Sequence, residues 1–332
     1  MKKLPKRILF TIVLALFLAS FFLMLYFGKE TFYVEKQISS QQIYDYHFAL
    51  ITEEVGNDYW REIENGAKEE AAKHNVYLEY IGPRKSDKEE KLQTFDRMIS
   101  SKVDGIITQG IPGERFKALV HKAVERGIKV ITVDTDVPDS ERQLYVGTDN
   151  YKAGYSAGQA IIKDTEGEIM VGAVIGMFDA LNQQERLQGF KDAIAESDRI
   201  ELVEVMESNI TEIGAAEATY SLLKQYPQIN ALVGMSALDG VGIVQGIEEI
   251  HLDHTPYVLS FDILPQTLEM IDQGKIAATV SQYPAQMGKQ AVSRLLDLQN
   301  GRKVEQMQYT GTGIIRARDI RNGEIIRKGE RS

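Results

Sequence analysis

Side chains able to grip a small polar molecule gather at three points of the sequence, each directly after a short apolar run. HFALIT leads into Glu53-Glu54-Val55-Gly56-Asn57-Asp58-Tyr59-Trp60, IKVITV into Asp134-Thr135-Asp136, and PYVLSF, which ends in Phe261, into Asp262. A carboxylate accepts hydrogen bonds from neighbouring hydroxyls on both oxygens, so Asp134, Asp136 and Asp262 suit a polyol. Tyr59 and Trp60 offer flat faces that can stack on the apolar side of a ring. Plainer roles compete. Trp60, the single tryptophan, would also serve as packing between helices, and a loop carboxylate by itself is usually just solvated.

Patterns for catalysis are incomplete. Gly234-Met235-Ser236-Ala237-Leu238 has the first glycine and the serine of a G-x-S-x-G elbow but not the second glycine. His251 and His254 have a metal-like spacing without a third ligand, which favours a surface turn. No phosphate-binding G-x-x-x-x-G-K-[ST] occurs, and the chain contains no cysteine, hence no disulfide or thiolate chemistry. Nothing pairs an activated nucleophile with a base, so the expectation is a non-enzyme that needs neither cofactor nor metal.

The elements that must position these residues follow from periodicity. Short strand-like runs (HFALIT, VYLEYI, VDGIIT, IKVITV) alternate with amphipathic stretches at residues 59–74, 88–101 and 114–126. A second series (EIMVGAVIG, IELVEVM, INALVGM, PYVLSF) alternates with 184–197, 213–226, 239–249 and 265–273. Strand–helix–strand alternation predicts parallel sheets covered by helices, and two such series predict two similar lobes. Asp87 is placed to cap the helix beginning at Lys88, and Gly127 and Gly274 sit where a helix end needs a left-handed residue. In such sheets ligands bind at the carboxyl ends of the strands, where all three polar clusters fall.

The first residues stand apart. MKKLPKR carries four basic residues and no acid, and residues 8–27 are uncharged. Twenty apolar residues are long enough to span a bilayer. A cleaved signal peptide competes, but the apolar run continues past Ala19-Ser20, which favours a retained anchor at 8–28 after a cytoplasmic head at 1–7. The positive-inside rule then places the rest of the chain outside, beginning with a stalk at 29–45. Without the head, 34 basic side chains face 48 acidic ones, a net charge of −14 that disfavours nucleic acid as a partner.

Several segments together resemble the ribose/galactose class of type I periplasmic sugar-binding proteins: FALITEEVGNDYWREIENGAKEEA, ITVDTDVPDSERQLYVGTDNYKAGYSAGQAI, ERLQGFKDAI, INALVGMSALDGVGIVQGI and FDILPQTLEMIDQGKIAATVSQYPAQMGKQAV, within residues 46–318. The resemblance implies two Rossmann-like lobes joined by three hinge crossovers near Thr148, Gln282 and Gly311: 46–148 plus 283–311, and 149–282 plus 312–320. It implies that Asn57, Tyr59, Trp60 and Asp134 of the first lobe, and Asp262 and Gln282 of the second lobe and hinge, contact a monosaccharide. The chain departs from the ribose pattern at Glu53, Thr135, Gln184, Ile210 and Ser236, where Thr135 and Gln184 replace arginines. Losing two guanidinium forks while adding Glu53 and Asp136 makes the expected pocket more acidic than a ribose site, and the expected ligand another sugar, one of cationic character remaining open. The partner implied is an ABC-type sugar permease or, as the alternative, a membrane sensor histidine kinase. Repressors that share the fold carry an N-terminal helix-turn-helix where this chain has its apolar segment.

Overall fold

The computed structural model describes residues 6–32, 43–250, 252, 255–321 and 324–325. The helix α1 (Lys6–Phe32) belongs to a unit of its own, residues 1–43. Among the described residues no helix is long and apolar enough to cross a membrane. The side chains of Leu9, Ile12 and Val13, inside the uncharged run, lie outside the description. The anchor expected at 8–28 is therefore not shown. Much of the expected stalk, and both His251 and His254, lie outside the described residues.

The second unit runs from residue 44 onward. It opens with β1 (Tyr46–Ile51), α2 (Asp58–Lys73), β2 (Val76–Ile81), α3 (Lys88–Ser100), β3 (Gly105–Thr108), α4 (Glu114–Glu125), β4 (Lys129–Val133) and β5 (Leu144–Thr148). The second series is α5 (Asn150–Asp164), β6 (Ile169–Ile175), α6 (Leu181–Ile194), β7 (Ile200–Glu207), α7 (Glu212–Gln225), β8 (Ala231–Gly234), α8 (Asp239–Glu248), β9 (Tyr257–Phe261), α9 (Pro265–Asp272) and β10 (Ala278–Ser281). The chain closes with α10 (Pro284–Gln299), β11 (Met307–Thr310), β12 (Gly313–Arg316) and a small hairpin, β13 (Ile320–Arg321) with β14 (Glu324–Ile325).

Two six-stranded sheets result, ordered β11-β5-β4-β3-β1-β2 and β12-β10-β9-β8-β6-β7. All pairings in them are parallel except β12, which runs antiparallel to β10. The chain passes between sheets three times: from β5 into α5 and β6, from β10 by way of α10 to β11, and from β11 to β12. The central strands are buried on both faces, which is why Val130, Ile131 and Val133 read as continuous apolar sequence rather than as an alternation. Helices bury one stripe each; α4 buries Phe116, Leu119, Val120 and Ala123 at 3- to 4-residue spacing. Phe190 of α6 is fully buried in the second lobe, a contribution of about 1.5–3 kcal/mol from desolvation alone.

Local signals shape the helix ends. The Asp87 carboxylate accepts from the backbone N–H of Glu89 and Glu90, and Gly127 and Gly274 take left-handed φ of 80° and 73°. In two helix pairs, glycines on both helices let the main chains meet. A Cβ at Gly66 of α2 would lie 1.8 Å from the Ala285 carbonyl of α10, and one at Gly288 of α10 would lie 1.9 Å from that of Ile63. Gly154 of α5 and Gly189 of α6 interlock in the same manner, each facing a carbonyl of the other helix. Strands β5, β10, β11 and β12 lie outside the periodicity-based assignment, being segments of only four or five residues, too short to show a period. Helix α6 begins at Leu181, three residues before the predicted start, which brings Asn182 and Gln183 into its first turn.

Candidate functional site

Both sheets end their central strands at one cavity of about 450 Å³. From the first sheet, β1 leads into Glu53 and then Asn57, whose side-chain oxygen caps α2 by accepting from the Trp60 N–H at 3.3 Å. That cap fixes the first turn of α2, where Tyr59 and Trp60 are buried side by side with rings nearly perpendicular and centroids 6.4 Å apart. Trp60 both lines the cavity and packs in the first-lobe core. The Tyr59 hydroxyl donates to Asp134 Oδ1 at 2.8 Å. Burial, reinforced by Asp134 and Asp262, holds the Tyr59 hydroxyl well above its ordinary pKa, so it remains a donor.

Asp134 follows β4 with φ 67° and Asp262 follows β9 with φ 72°, both in the left-handed region that a residue with a Cβ rarely adopts. Strain of this kind gathers at functional sites. Asp134 also accepts from Thr135 Oγ1 at 3.0 Å, Gln109 Nε2 at 3.3 Å and Asn182 Nδ2 at 3.4 Å. Asp262 accepts from Gln282 Nε2 at 2.7 Å. Burial pushes Asp262 up to about 7, with Asp134 and Asp239 adding to the push while Arg186 and the Gln282 amide oppose it. Gln282 in turn accepts from Thr148 Oγ1 and Arg186 Nη2, each at 2.7 Å. Ser236, at the exit of β8, lines the cavity, and its hydroxyl has no hydrogen-bond partner among the described residues.

Of the sequence-predicted residues, Glu53, Asn57, Tyr59, Trp60, Asp134, Thr135, Ser236, Asp262 and Gln282 line this cavity, as does Ile210. Two do not. Asp136 turns away to a guanidinium fork, accepting from Arg142 Nε and Nη2 as well as from Thr132 Oγ1, and makes a buried structural ion pair. Gln184 is exposed, its amide donating to the Phe178 carbonyl, because it points off the outer face of α6.

The sequence reading missed Gln109, Asn182, Gln183, Arg186 and Lys91, all in the cavity wall. Arg186 is 2% exposed, donating to Asn150 Oδ1, the Met235 carbonyl and Gln282 Oε1, with its guanidinium over the Phe261 ring. The signal was present: Asn182 and Arg186 lie eight and four residues before Phe190, on the same buried face of α6. Gln109 directly follows β3, the exit position that singled out Asp134. A guanidinium is thus retained two residues beyond the position expected to have lost it. The Glu53 carboxylate is held by Lys91 and Ser86. With Asp136 paired elsewhere, the surplus acidity expected of the pocket is largely neutralised.

A family model for the periplasmic binding protein domain matches residues 48–303. The chain belongs to the periplasmic binding protein family. This binding protein is similar to the D-ribose/D-allose-binding protein of Pseudomonas aeruginosa, at 24% identity over 267 residues, covering 77% of this chain and 83% of the relative. Among solved structures it is similar to GanP, a glucose-galactose binding protein from Geobacillus stearothermophilus, with 43% identity and a TM-score of 0.80, over 83% of this chain and 98% of GanP. It is also similar to a chain of the XylFII-LytSN complex, with 32% identity and a TM-score of 0.78, over 84% of this chain and all of that one. The binding protein is not an enzyme: its relatives bind small molecules, and its cavity holds acceptors and donors arranged for recognition.

Proposed function

We propose that the protein is an extracytoplasmic receptor that closes two lobes around one neutral monosaccharide and presents it to a membrane partner. The observation that carries this reading is the convergence of Trp60, Asp134, Asp262 and Gln282, from separate loops of the two sheets and the hinge, on one cavity. Carboxylates, amides and a flat indole supply the hydrogen bonds and stacking that a sugar ring needs. The bodies that close are 46–148 with 283–311 and 149–282 with 312–320, a division supported by the sheet membership of the strands. Kinship with proteins named for ribose, allose, glucose and galactose supports the ligand class. Departures from the ribose pattern at Glu53, Thr135, Ile210 and Ser236 favour a sugar other than ribose, and the pairing of Glu53 with Lys91 removes the reason to expect a cationic one.

The tether rests on the sequence: α1 carries the uncharged run 8–27, and the basic residues lie on its N-terminal side. An ABC-type sugar permease is the first partner to consider. A sensing role with a membrane histidine kinase is the second, favoured by the kinship with a protein solved in complex with another, LytSN. Calorimetry of the full chain against pentoses, hexoses and amino sugars tests the ligand, and ribose binding more tightly than every other sugar would overturn the reading. Ligand-dependent co-purification with a sensor kinase supports sensing, whereas loss of sugar uptake with intact gene induction in a deletion strain excludes it.

A further inference from the structure

Asn150 does not line the cavity, yet its side chain touches the supports of both acidic residues there. It is the first residue of α5, at the crossover from β5 to the second sheet, and is 3% exposed. Its Nδ2 donates to the Tyr145 hydroxyl at 3.3 Å and to the Thr148 carbonyl at 3.1 Å, while its Oδ1 accepts from Arg186 Nε at 2.9 Å. The orientation of the amide is dictated by these partners. Exchanging oxygen and nitrogen would set an NH₂ against the Arg186 N–H and a carbonyl oxygen against that of Thr148.

The two arms continue to the site. Tyr145 donates its hydroxyl to the backbone carbonyl of Asp134 at 2.8 Å. Arg186 donates through Nη2 to Gln282 Oε1, and Gln282 Nε2 donates to Asp262 Oδ1. We infer that Asn150 is a positioning residue that locks the Arg186 guanidinium toward Gln282 and Asp262 while bracing the strained backbone of Asp134, so that hinge and cavity form one hydrogen-bonded unit. The inference deepens the proposed function and rests on the same cavity, but it concerns the polar network rather than the identity of the ligand. Removing the Asn150 acceptor leaves a buried N–H of Arg186 unpaired, and a buried unpaired donor drives its side chain to move. Asp262 then loses the cation that opposes its burial.

The charged and titratable groups facing Asp262 come from four elements: Arg186 of α6, Asp134 after β4, Asp239 of α8 and Tyr59 of α2. Only Arg186 among them favours its ionised form. The test is a carbon-13 NMR titration of the Asp262 carboxyl in the full-length, sugar-free protein, comparing wild type with Asn150→Leu, which keeps bulk and removes the acceptor. The Asp262 midpoint is expected to rise by about one pH unit in Asn150→Leu. Asn150→Ala, a truncation that also removes the acceptor, gives the same rise should Asn150→Leu not fold. A midpoint unchanged in a folded acceptor-less variant overturns the inference, even if thermal stability drops. Because no sugar enters the titration, a wild-type protein that bound no sugar would overturn the proposed function and leave this result to be judged on its own.

Discussion

Asp134 and Asp262 occupy matching points in the two halves of the molecule. Each follows a strand with a left-handed backbone, and each donates its N–H to a valine carbonyl on the neighbouring strand, Val146 for one and Val280 for the other. The residue before that valine returns a hydroxyl to the carbonyl of the acid: Tyr145 to Asp134 and Thr279 to Asp262. The side chains then part company. Asp134 is surrounded by four neutral donors, one of them Asn182 from the opposite half, whereas Asp262 has one amide donor and deep burial. Equivalent backbones therefore hold one carboxylate amid four donors and one with a single amide donor, which burial pushes up to about 7.

The sharpest way to break this contrast is Asp134→Ala. Two ligand hydrogen bonds to a charged group, at about 1.5–3 kcal/mol each, predict a loss of sugar affinity of ~100-fold or more by calorimetry. For Asp262 the loss should depend on pH. Its ionised form is the better acceptor, so wild-type affinity is expected to fall as pH drops below about 7, with proton release on binding near neutrality, and Asp262→Asn should abolish both. An affinity flat from pH 5.5 to 8 in wild type would remove the distinction.

Stability carries the same asymmetry. Burial raises Asp262 from an unfolded value of about 3.9, so its contribution to stability is intact below that pH and is lost as pH rises through about 7. Asp262→Asn should therefore raise Tm at pH 8 by at least about 2 °C relative to wild type and change it little at pH 4, as read by thermal unfolding. Among the backbone supports, Tyr145→Phe should cost about 1–2 kcal/mol in denaturant unfolding, more than Thr279→Val, because Tyr145 also accepts from Asn150. The smallest effect belongs to Gln184→Ala, expected to change sugar affinity by less than about 0.5 kcal/mol, since the side chain faces solvent.

What could be read from the sequence follows the strength of each physical signal. Alternating apolar runs and amphipathic stretches revealed the α/β character because each buries a whole face, and Asp87 and the two helix-ending glycines were legible from local capping chemistry alone. The strand-exit rule led to Glu53, Asp134 and Asp262 in the cavity wall, since that position is fixed by topology. It could not separate Asp134 from Asp136, two residues on, because what decides between them is Arg142, a partner that only the folded chain brings near. Arg186 escaped notice because an arginine within a polar helical stretch reads as solvated; its burial depends on Phe261 and Gln282, far away in sequence.

The interlocked glycines of the two helix pairs bear on how such a molecule can report occupancy. Where main chains touch without an intervening side chain, there is no soft layer to absorb shear, so α2 with α10, and α5 with α6, transmit displacement as stiff struts. Each of these helices either starts at the cavity or leaves a crossover, so a tilt imposed at that end would swing the helix and its partner together as one lever. A neighbouring protein could sense that leverage without ever approaching the ligand.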